Sequence, residues 1–431
     1  MLLTADRISC RDRNSAIDPD RRMNQNAIEN TELRKIHSMI TDKIYKKTYM
    51  QTNQHSNQKK HYLPGRSSGY DLRKQKQTAY PAFVFLCVLM MAAVLSGCGA
   101  GFPGASASAE PVTGENYYLD TICTVSIFEM ADAEGISVPA SEMKEEADTA
   151  ISAAFELCAE MDKKLSRTNE SSEISKVNNS DGEWTEVSDD TAELVGSGIE
   201  YSKLADGRFD ITIGGVTDLW DFHADPENAK LPDKHKLAEA LKHVDYNNIE
   251  IDSNMLRLDD PKTKIDLGAI AKGYIGDRMT EVLEDRGVTS GIVNLGGNVI
   301  CIGGKTADDD FTVGVEAPFS DRTEIVGKVK CRNKTLVTSG VYERKIEVGG
   351  KLYHHILDPE TGYSVKTDLD AVTLIADKGR SMDIDAMSTI CLIKGYNEAK
   401  EFIEETDGVE AVFIKHDGSI DKTDGASFEA E

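Results

Sequence analysis

The segment Lys264-Ile-Asp-Leu-Gly-Ala-Ile-Ala-Lys-Gly-Tyr274 sets a carboxylate, Asp266, six positions before an ammonium, Lys272, with a tight Gly268-Ala269 turn between them. An apolar-periodic helix follows directly. Such a turn aims free backbone N–H groups at whatever sits on the helix start, which favours a phosphate or another anion. In Asp383-Ile-Asp385-Ala-Met-Ser-Thr389 the residues Asp385 and Thr389 are four apart and share one helix face. A carboxylate beside a hydroxyl offers hard oxygen ligands of the kind Mg²⁺ takes. The same spacing fits a capping or solvated helix start equally well. Asp383, two positions away, faces elsewhere.

Tyr353-His-His355-Ile-Leu357-Asp-Pro-Glu-Thr-Gly362 ends in turn chemistry, with Pro fixing φ and Gly supplying a positive φ. His355 is the group there that titrates near neutrality. On an extended strand His354 points the opposite way, so at most one of the two enters a site; a lone histidine is more often structural. In Gly207-Arg208-Phe209-Asp210-Ile-Thr, Arg208 and Phe209 could stack on an aromatic ligand while Asp210 accepts hydrogen bonds. A plain strand start after a helix cap explains those residues as well. Trp220 could stack too, although buried tryptophan is more often core. Leu165-Ser-Arg-Thr168-Asn-Glu-Ser-Ser-Glu-Ile174 closes a helix with several caps. Thr338-Ser-Gly-Val-Tyr-Glu-Arg344 offers Ser339-Gly340 as a point of close backbone approach.

The elements that must position these groups follow from periodicity. Met143, Ala147, Ala150, Ile151, Ala154, Leu157, Cys158, Met161 and Leu165 recur at helical spacing. A second helix runs from about Asp190 to Leu204 and stops at Asp206-Gly207. A third runs from Ala269 to Gly287, and two more lie near 380–393 and 396–406. Thr121–Glu129 and alternating runs at 291–302, 311–316, 325–331, 371–376 and 409–415 read as strands. Helices and strands mix without regular βαβ alternation, so the expected class is α+β.

With 431 residues, 40% of them hydrophobic, the chain can bury a large core. Residues 1–97 carry 16 Lys and Arg against 8 Asp and Glu; the remaining residues carry 33 against 66, a net charge of −33. So acidic a domain lacks the basic footprint that nucleic acid needs. A phosphate ligand there requires a local cation or dipole.

Leu72-Arg-Lys-Gln-Lys76 is a basic stretch, and Pro81 to Leu95 is an apolar run of 15 residues. The run is short for a spanning helix and suits an export signal, 72–97. It ends in Leu95-Ser-Gly-Cys98, which resembles the lipobox of bacterial lipoproteins, where the cysteine carries diacylglycerol. The expectation is a lipid-anchored protein on the extracytoplasmic face of the bacterial cytoplasmic membrane. Residues 1–71 are polar and without apolar period, and read as a disordered extension or as sequence upstream of the true start. Residues 98–116 read as the lipidated cysteine and a flexible tether. After Cys98 come Cys123, Cys158, Cys301, Cys331 and Cys391. The odd count and the absence of CxxC speak against a zinc site and a disulfide framework, and Cys158 and Cys391 read as core residues.

Taken in order, LSRTNESSEI, GRFDIT, DLGAIAKGY, TSGVYER, HHILDPETGY and DAMST resemble the ApbE family, the FAD:protein FMN transferases. The resemblance runs from about Tyr117 to Lys415. It implies an α+β fold of mixed and antiparallel sheets flanked by helices, one ApbE-like (T-fold-like) catalytic domain over 117–420, followed by a polar tail, 421–431. It implies a Mg²⁺-dependent enzyme that takes FAD as substrate. The FMN half is joined through its phosphate to a Thr or Ser hydroxyl of an acceptor flavoprotein, and AMP leaves. Acceptors carry an Asp-Gly-Ala-Ser/Thr-like motif and are expected among subunits of membrane redox complexes. Matching positions assign the metal to the Ala269 carbonyl and the Asp385 and Thr389 side chains. FAD is assigned to Arg208, Phe209, Asp210, Asp266, Lys272 and the chain at Leu357, and the base to His355. Leu119 and Thr168 stand where some members carry methionine and tyrosine against the flavin nucleotide. Asp424-Gly-Ala-Ser427 resembles half of the acceptor motif, but Phe428-Glu-Ala breaks it. Two other functions share these residues: hydrolysis of FAD to FMN and AMP, and flavin binding without catalysis.

Overall fold

The computed structural model describes residues 110–222, 224, 227–320 and 324–431. The extension, the export signal and Cys98 lie outside them. The chain opens with a hairpin of β1 (Val112–Tyr118) and β2 (Thr121–Met130). Helices α1 (Ala140–Leu165) and α2 (Glu173–Asn178), strand β3 (Thr185–Glu186) and helix α3 (Asp189–Leu204) follow. Next come two short helices, α4 (Gly214–Thr217) and α5 (Lys234–Ala240), then β4 (Ile249–Asp252) and β5 (Met255–Leu258). Helix α6 (Ala271–Glu284) leads into β6 (Val288–Leu295), β7 (Asn298–Ile302), β8 (Phe311–Glu316), β9 (Ile325–Cys331) and β10 (Lys334–Gly340). A small hairpin, β11 (Lys345–Val348) and β12 (Lys351–His354), precedes β13 (Leu369–Asp377). The chain closes with α7 (Ser381–Lys394), α8 (Tyr396–Glu404), β14 (Val409–Lys415), β15 (Ile420–Lys422) and β16 (Phe428–Ala430).

Eight strands form the central sheet in the order β1-β2-β6-β7-β10-β13-β14-β15, with every pairing antiparallel. Strand alternation gives it two apolar faces. On β7, Ile300 and Ile302 point into a large core shared with α1, α6 and α7, while Cys301 points into a second core. That second core lies under the three-stranded sheet β16-β9-β8. A third, smaller cluster gathers Trp220, Tyr353 and Leu357. Helix α7 is buried along most of its length, which suits its apolar composition.

The expected α+β class stands. Two boundaries do not. Val112–Asn116, assigned to the tether, belong to β1 and pair with β2. The tail 421–431, expected to be a free polar end, is part of the fold: Ala426 and Phe428 are buried in the second core and β16 pairs with β9. Two apolar anchors outweighed the charges around them. The run 291–302 is a hairpin rather than one strand, broken by Gly296 and Gly297, whose φ values are +64° and +104°.

Candidate active site

The starts of α6 and α7 meet at a glycine. A Cβ on Gly273 would stand 2.2 Å from the Ser381 carbonyl oxygen, so only glycine permits this approach. At the same point the Gly273 N–H donates to Asp385 Oδ2 at 2.8 Å. The anion on this helix start is thus the protein's own carboxylate, where the sequence suggested a bound phosphate. The substitution has a consequence one turn back. In a regular helix the Gly273 N–H would bond to the Ala269 carbonyl. Here, among the described residues, that carbonyl accepts no hydrogen bond.

Asp385 is 3% exposed, and burial raises its pKa, opposed by the Lys272 charge and the Gly273 N–H. It lies beside the amide of Asn298, whose nitrogen and oxygen are both buried without a formed hydrogen bond. The Thr389 hydroxyl, one turn along α7, has no protein partner among the described residues. Asp383 is separate, accepting from Tyr201 Oη at 2.6 Å and Arg380 Nε at 3.2 Å. The Asp385 carboxylate, a free carbonyl and a free hydroxyl make a donor set of hard oxygens that fits Mg²⁺. No cluster of three or more His, Cys, Asp or Glu side chains able to hold a metal occurs among the described residues, so a nitrogen and sulfur site of the zinc type is not the match.

Asp266 builds the turn. Its Oδ1 accepts the Gly268 N–H at 2.9 Å and its Oδ2 the Arg167 Nε at 2.9 Å. Arg167 also reaches Asp218. Thr168 sits exposed on the same loop, its hydroxyl 3.1 Å from Ser166 Oγ. Lys272 has no ion pair among the described residues, and its charge bears on Asp385 and His355 together. An unpaired ammonium is what a phosphate needs in so acidic a domain.

His355 follows β12. Its N–H donates to the Arg344 carbonyl at 3.1 Å, and Nδ1 lies 3.3 Å from the same oxygen. A carbonyl only accepts, so Nδ1 carries the proton and Nε2 is left as the free base. Burial, then the charge of Arg344, lowers the His355 pKa to about 3. His354 is buried and tied through its backbone to Ser364, whose Oγ accepts its N–H and donates to its carbonyl, both at 2.7 Å. The Asp358 turn forms as predicted, with Asp358 accepting from Glu360 N–H at 2.9 Å and Gly362 at φ +69°. Leu357 is buried in the third cluster, so only its backbone, bridged to Ser364, is open to a ligand.

Leu119 and Asp120 form the β1–β2 turn with φ of 54° and 57°. This conformation is unusual for leucine and marks the turn as a place where geometry is imposed. Asp120 reaches Arg344 at 3.5 Å, which joins the turn to the His355 side of the cleft.

The structure does not bring Arg208, Phe209 and Asp210 to this cleft through their side chains. Phe209 is 5% exposed in the main core. Arg208 Nη2 donates to the Ile393 carbonyl at 2.9 Å and Nη1 pairs with Glu398 at 3.2 Å. Asp210 accepts from Thr212 Oγ1 at 2.6 Å, Thr212 N–H at 2.8 Å and Tyr246 N–H at 3.1 Å. The segment instead supports the turn, because the Asp266 N–H donates to the Ile211 carbonyl at 2.7 Å. Trp220 is core, its Nε1 donating to the Gly362 carbonyl at 2.9 Å. Sequence reasoning missed Asn298, Gly273 and Arg167. The tight Asn294-Leu-Gly-Gly-Asn298 turn was the signal for the first.

Comparison with known proteins gives one consistent answer. The ApbE family model matches residues 119–413. A curated FAD:protein FMN transferase of Treponema pallidum is 29% identical over 353 residues, covering 78% of this chain and 91% of the relative. One from Klebsiella pneumoniae is 30% identical over 274 residues, covering 62% and 83%. Among solved structures, the ApbE protein of Thermotoga maritima superposes with a TM-score of 0.64 at 29% identity, over 73% of this chain and 97% of its own. The flavin transferase ApbE of Vibrio cholerae gives 0.60 at 23% identity, over 74% and 97%, a likeness of fold.

Proposed function

The chain belongs to the ApbE family, and from that premise we propose that it transfers the FMN moiety of FAD to a Thr or Ser hydroxyl of an acceptor flavoprotein, with Mg²⁺ and with release of AMP. The observation that carries this reading is a set of groups without a protein partner among the described residues: the Ala269 carbonyl, the Thr389 hydroxyl and the Lys272 ammonium at the α6–α7 crossing, and His355 Nε2 on the segment after β12. Phosphoryl transfer asks for positioning and charge neutralisation more than for covalent help.

Ala269, Asp385 and Thr389 would hold Mg²⁺, which when bound neutralises charge on the diphosphate. Lys272 takes the remaining phosphate oxygens. His355 Nε2 accepts the proton of the incoming hydroxyl, whose oxygen attacks the FMN phosphorus. The bond from that phosphorus to the bridging oxygen breaks, and its electron pair leaves with AMP. Nδ1–H, fixed on the Arg344 carbonyl, holds the ring so that Nε2 faces the attack. Arg167 and Asp266 act one step back, by shaping the turn that aims the Ala269 carbonyl.

We propose further that Cys98 carries a lipid anchor and that the acceptors are membrane redox subunits with an Asp-Gly-Ala-Ser/Thr-like motif. The Leu95-Ser-Gly-Cys98 motif supports the anchor. Incorporation of labelled palmitate that persists in Cys98→Ala would refute it.

The test of the activity incubates the enzyme with FAD, Mg²⁺ and an acceptor domain. AMP appearing in step with an FMN mass increment on the acceptor supports transfer. Free FMN formed at the same rate with and without acceptor would make the enzyme a hydrolase. FAD that stays intact throughout would leave a binding protein.

A further inference from the structure

Five cysteines lie in the folded domain, all buried and all free thiols. Their odd number spoke against a disulfide framework, yet the fold sorts four of them into two facing pairs and isolates Cys391 within α7. Cys301 points from β7 into the second core, since its neighbours Ile300 and Ile302 point into the first. Cys331 ends β9 and enters the same core from the opposing sheet. Two residues beyond each thiol the chains are tied together. The Asn333 N–H donates to the Gly303 carbonyl at 3.0 Å, and the Gly303 N–H donates to Asn333 Oδ1 at 2.8 Å. Both thiols are buried in this one core, where Cys331 Sγ donates to the Val329 carbonyl at 3.6 Å.

The second pair repeats this across the other face. Alternation along β2 turns Cys123 toward α1, where Cys158 lies on the buried stripe. The rings of Tyr118 and Phe155, 6.2 Å apart, bring the end of the hairpin to α1 one turn before Cys158. Cys123 Sγ donates to the Tyr118 carbonyl at 3.6 Å, and Cys123 and Cys158 are both fully buried in the same core.

We infer that Cys123 with Cys158, and Cys301 with Cys331, are disulfide-forming pairs, each tying the central sheet to the layer packed on one of its faces. The co-reactant is a disulfide of the glutathione or protein-dithiol class, which an exported chain meets. One cysteine thiolate attacks that disulfide and expels a thiolate. The partner thiolate then attacks the mixed disulfide, expels the second, and forms the internal S–S bond. Two cysteine thiols are oxidised and one external disulfide is reduced to two thiols. The four sulfurs are buried, so the bonds form while the layers close during folding. They span 35 and 30 positions, loops long enough for closure to stabilise the fold.

The test unfolds the purified full chain with reductant and refolds it in a buffer of oxidised and reduced glutathione. Free thiols are trapped with iodoacetamide, and peptides are mapped without reduction. The expected result is two linked peptide pairs, Cys123–Cys158 and Cys301–Cys331, with Cys391 alkylated only after unfolding. The oxidised protein should melt roughly 5–15 °C above the reduced one. The double variant Cys301→Ser/Cys331→Ser should keep the Cys123–Cys158 link and lose part of that difference. Refolded, FAD-splitting protein with all five cysteines alkylatable, or with any other pairing, would overturn the inference.

Discussion

The α6–α7 crossing and the Gly207–Thr212 segment look alike in the sequence. Each sets glycine, a carboxylate and a cation within a few residues, and each matches a family motif. In three dimensions they part. Around Gly207, the three side chains with chemistry to offer are already engaged: Arg208 on Ile393 and Glu398, Phe209 in the core, Asp210 on Thr212 and Tyr246. At the crossing, the groups left over are those that a phosphate and a hard cation would satisfy. A buried polar group without a partner costs free energy, so a fold retains one where a ligand completes it. Motif strength does not separate the two regions; hydrogen-bond accounting does.

The contrast can be broken at several points. Asp385→Ala should cut FMN transfer by more than about 100-fold, the upper end of what loss of even an outer metal contact costs, with the fold intact by circular dichroism. His355→Gln should lower kcat by roughly 10²- to 10⁴-fold while FAD binding, followed by flavin fluorescence, persists. The pH profile sharpens this assignment. Burial and then Arg344 lower the His355 pKa to about 3, so the ring is neutral well below the ordinary histidine range. The kcat/KM of the free enzyme should therefore stay level as pH falls through 6.5. Fold stability behaves differently, because the unfolded chain binds protons that native His355 and His354, lowered to about 3 and about 4, refuse. Stability should decline as pH drops from about 6.5 toward those values.

Gly273→Ala probes the crossing itself. Its Cβ would meet the Ser381 carbonyl oxygen at 2.2 Å, so overpacking should cost about 1–3 kcal/mol, read as a lower melting temperature together with weakened Mg²⁺ dependence. The smallest effect on turnover belongs to the other region. Asp210→Asn should lose about 1–3 kcal/mol of stability through its three hydrogen bonds, with kcat preserved in the folded protein. A kcat collapse in a stable Asp210→Asn would erase the distinction drawn between the two regions.

Much of this was legible in the chain. The i, i+4 spacing of Asp385 and Thr389 put them on one face, and the turn chemistry at Asp358-Pro-Glu-Thr-Gly362 formed as the residues dictate, just after His355. Family motifs located Ala269, though no property of an alanine side chain would have. What stayed hidden was long-range. That the Gly273 N–H would be captured by Asp385, 112 positions on, depends on two helices crossing at a distance only tertiary packing sets. The tail misled for the converse reason: Ala426 and Phe428 are two apolar residues in a polar run, too few for a periodic signal yet enough to fasten it to the second core.

The Asp385 carboxylate, with the Ala269 carbonyl and the Thr389 hydroxyl that accept no hydrogen bond among the described residues, would hold the cation that the reaction needs. This is tested most directly by titrating Mg²⁺ into wild type and Asp385→Ala with FAD and acceptor present, reading the FMN adduct by intact mass. Adduct formation should saturate with Mg²⁺ in wild type and fail in the folded variant at the same metal concentration. Full flavinylation by Asp385→Ala without excess metal would contradict it.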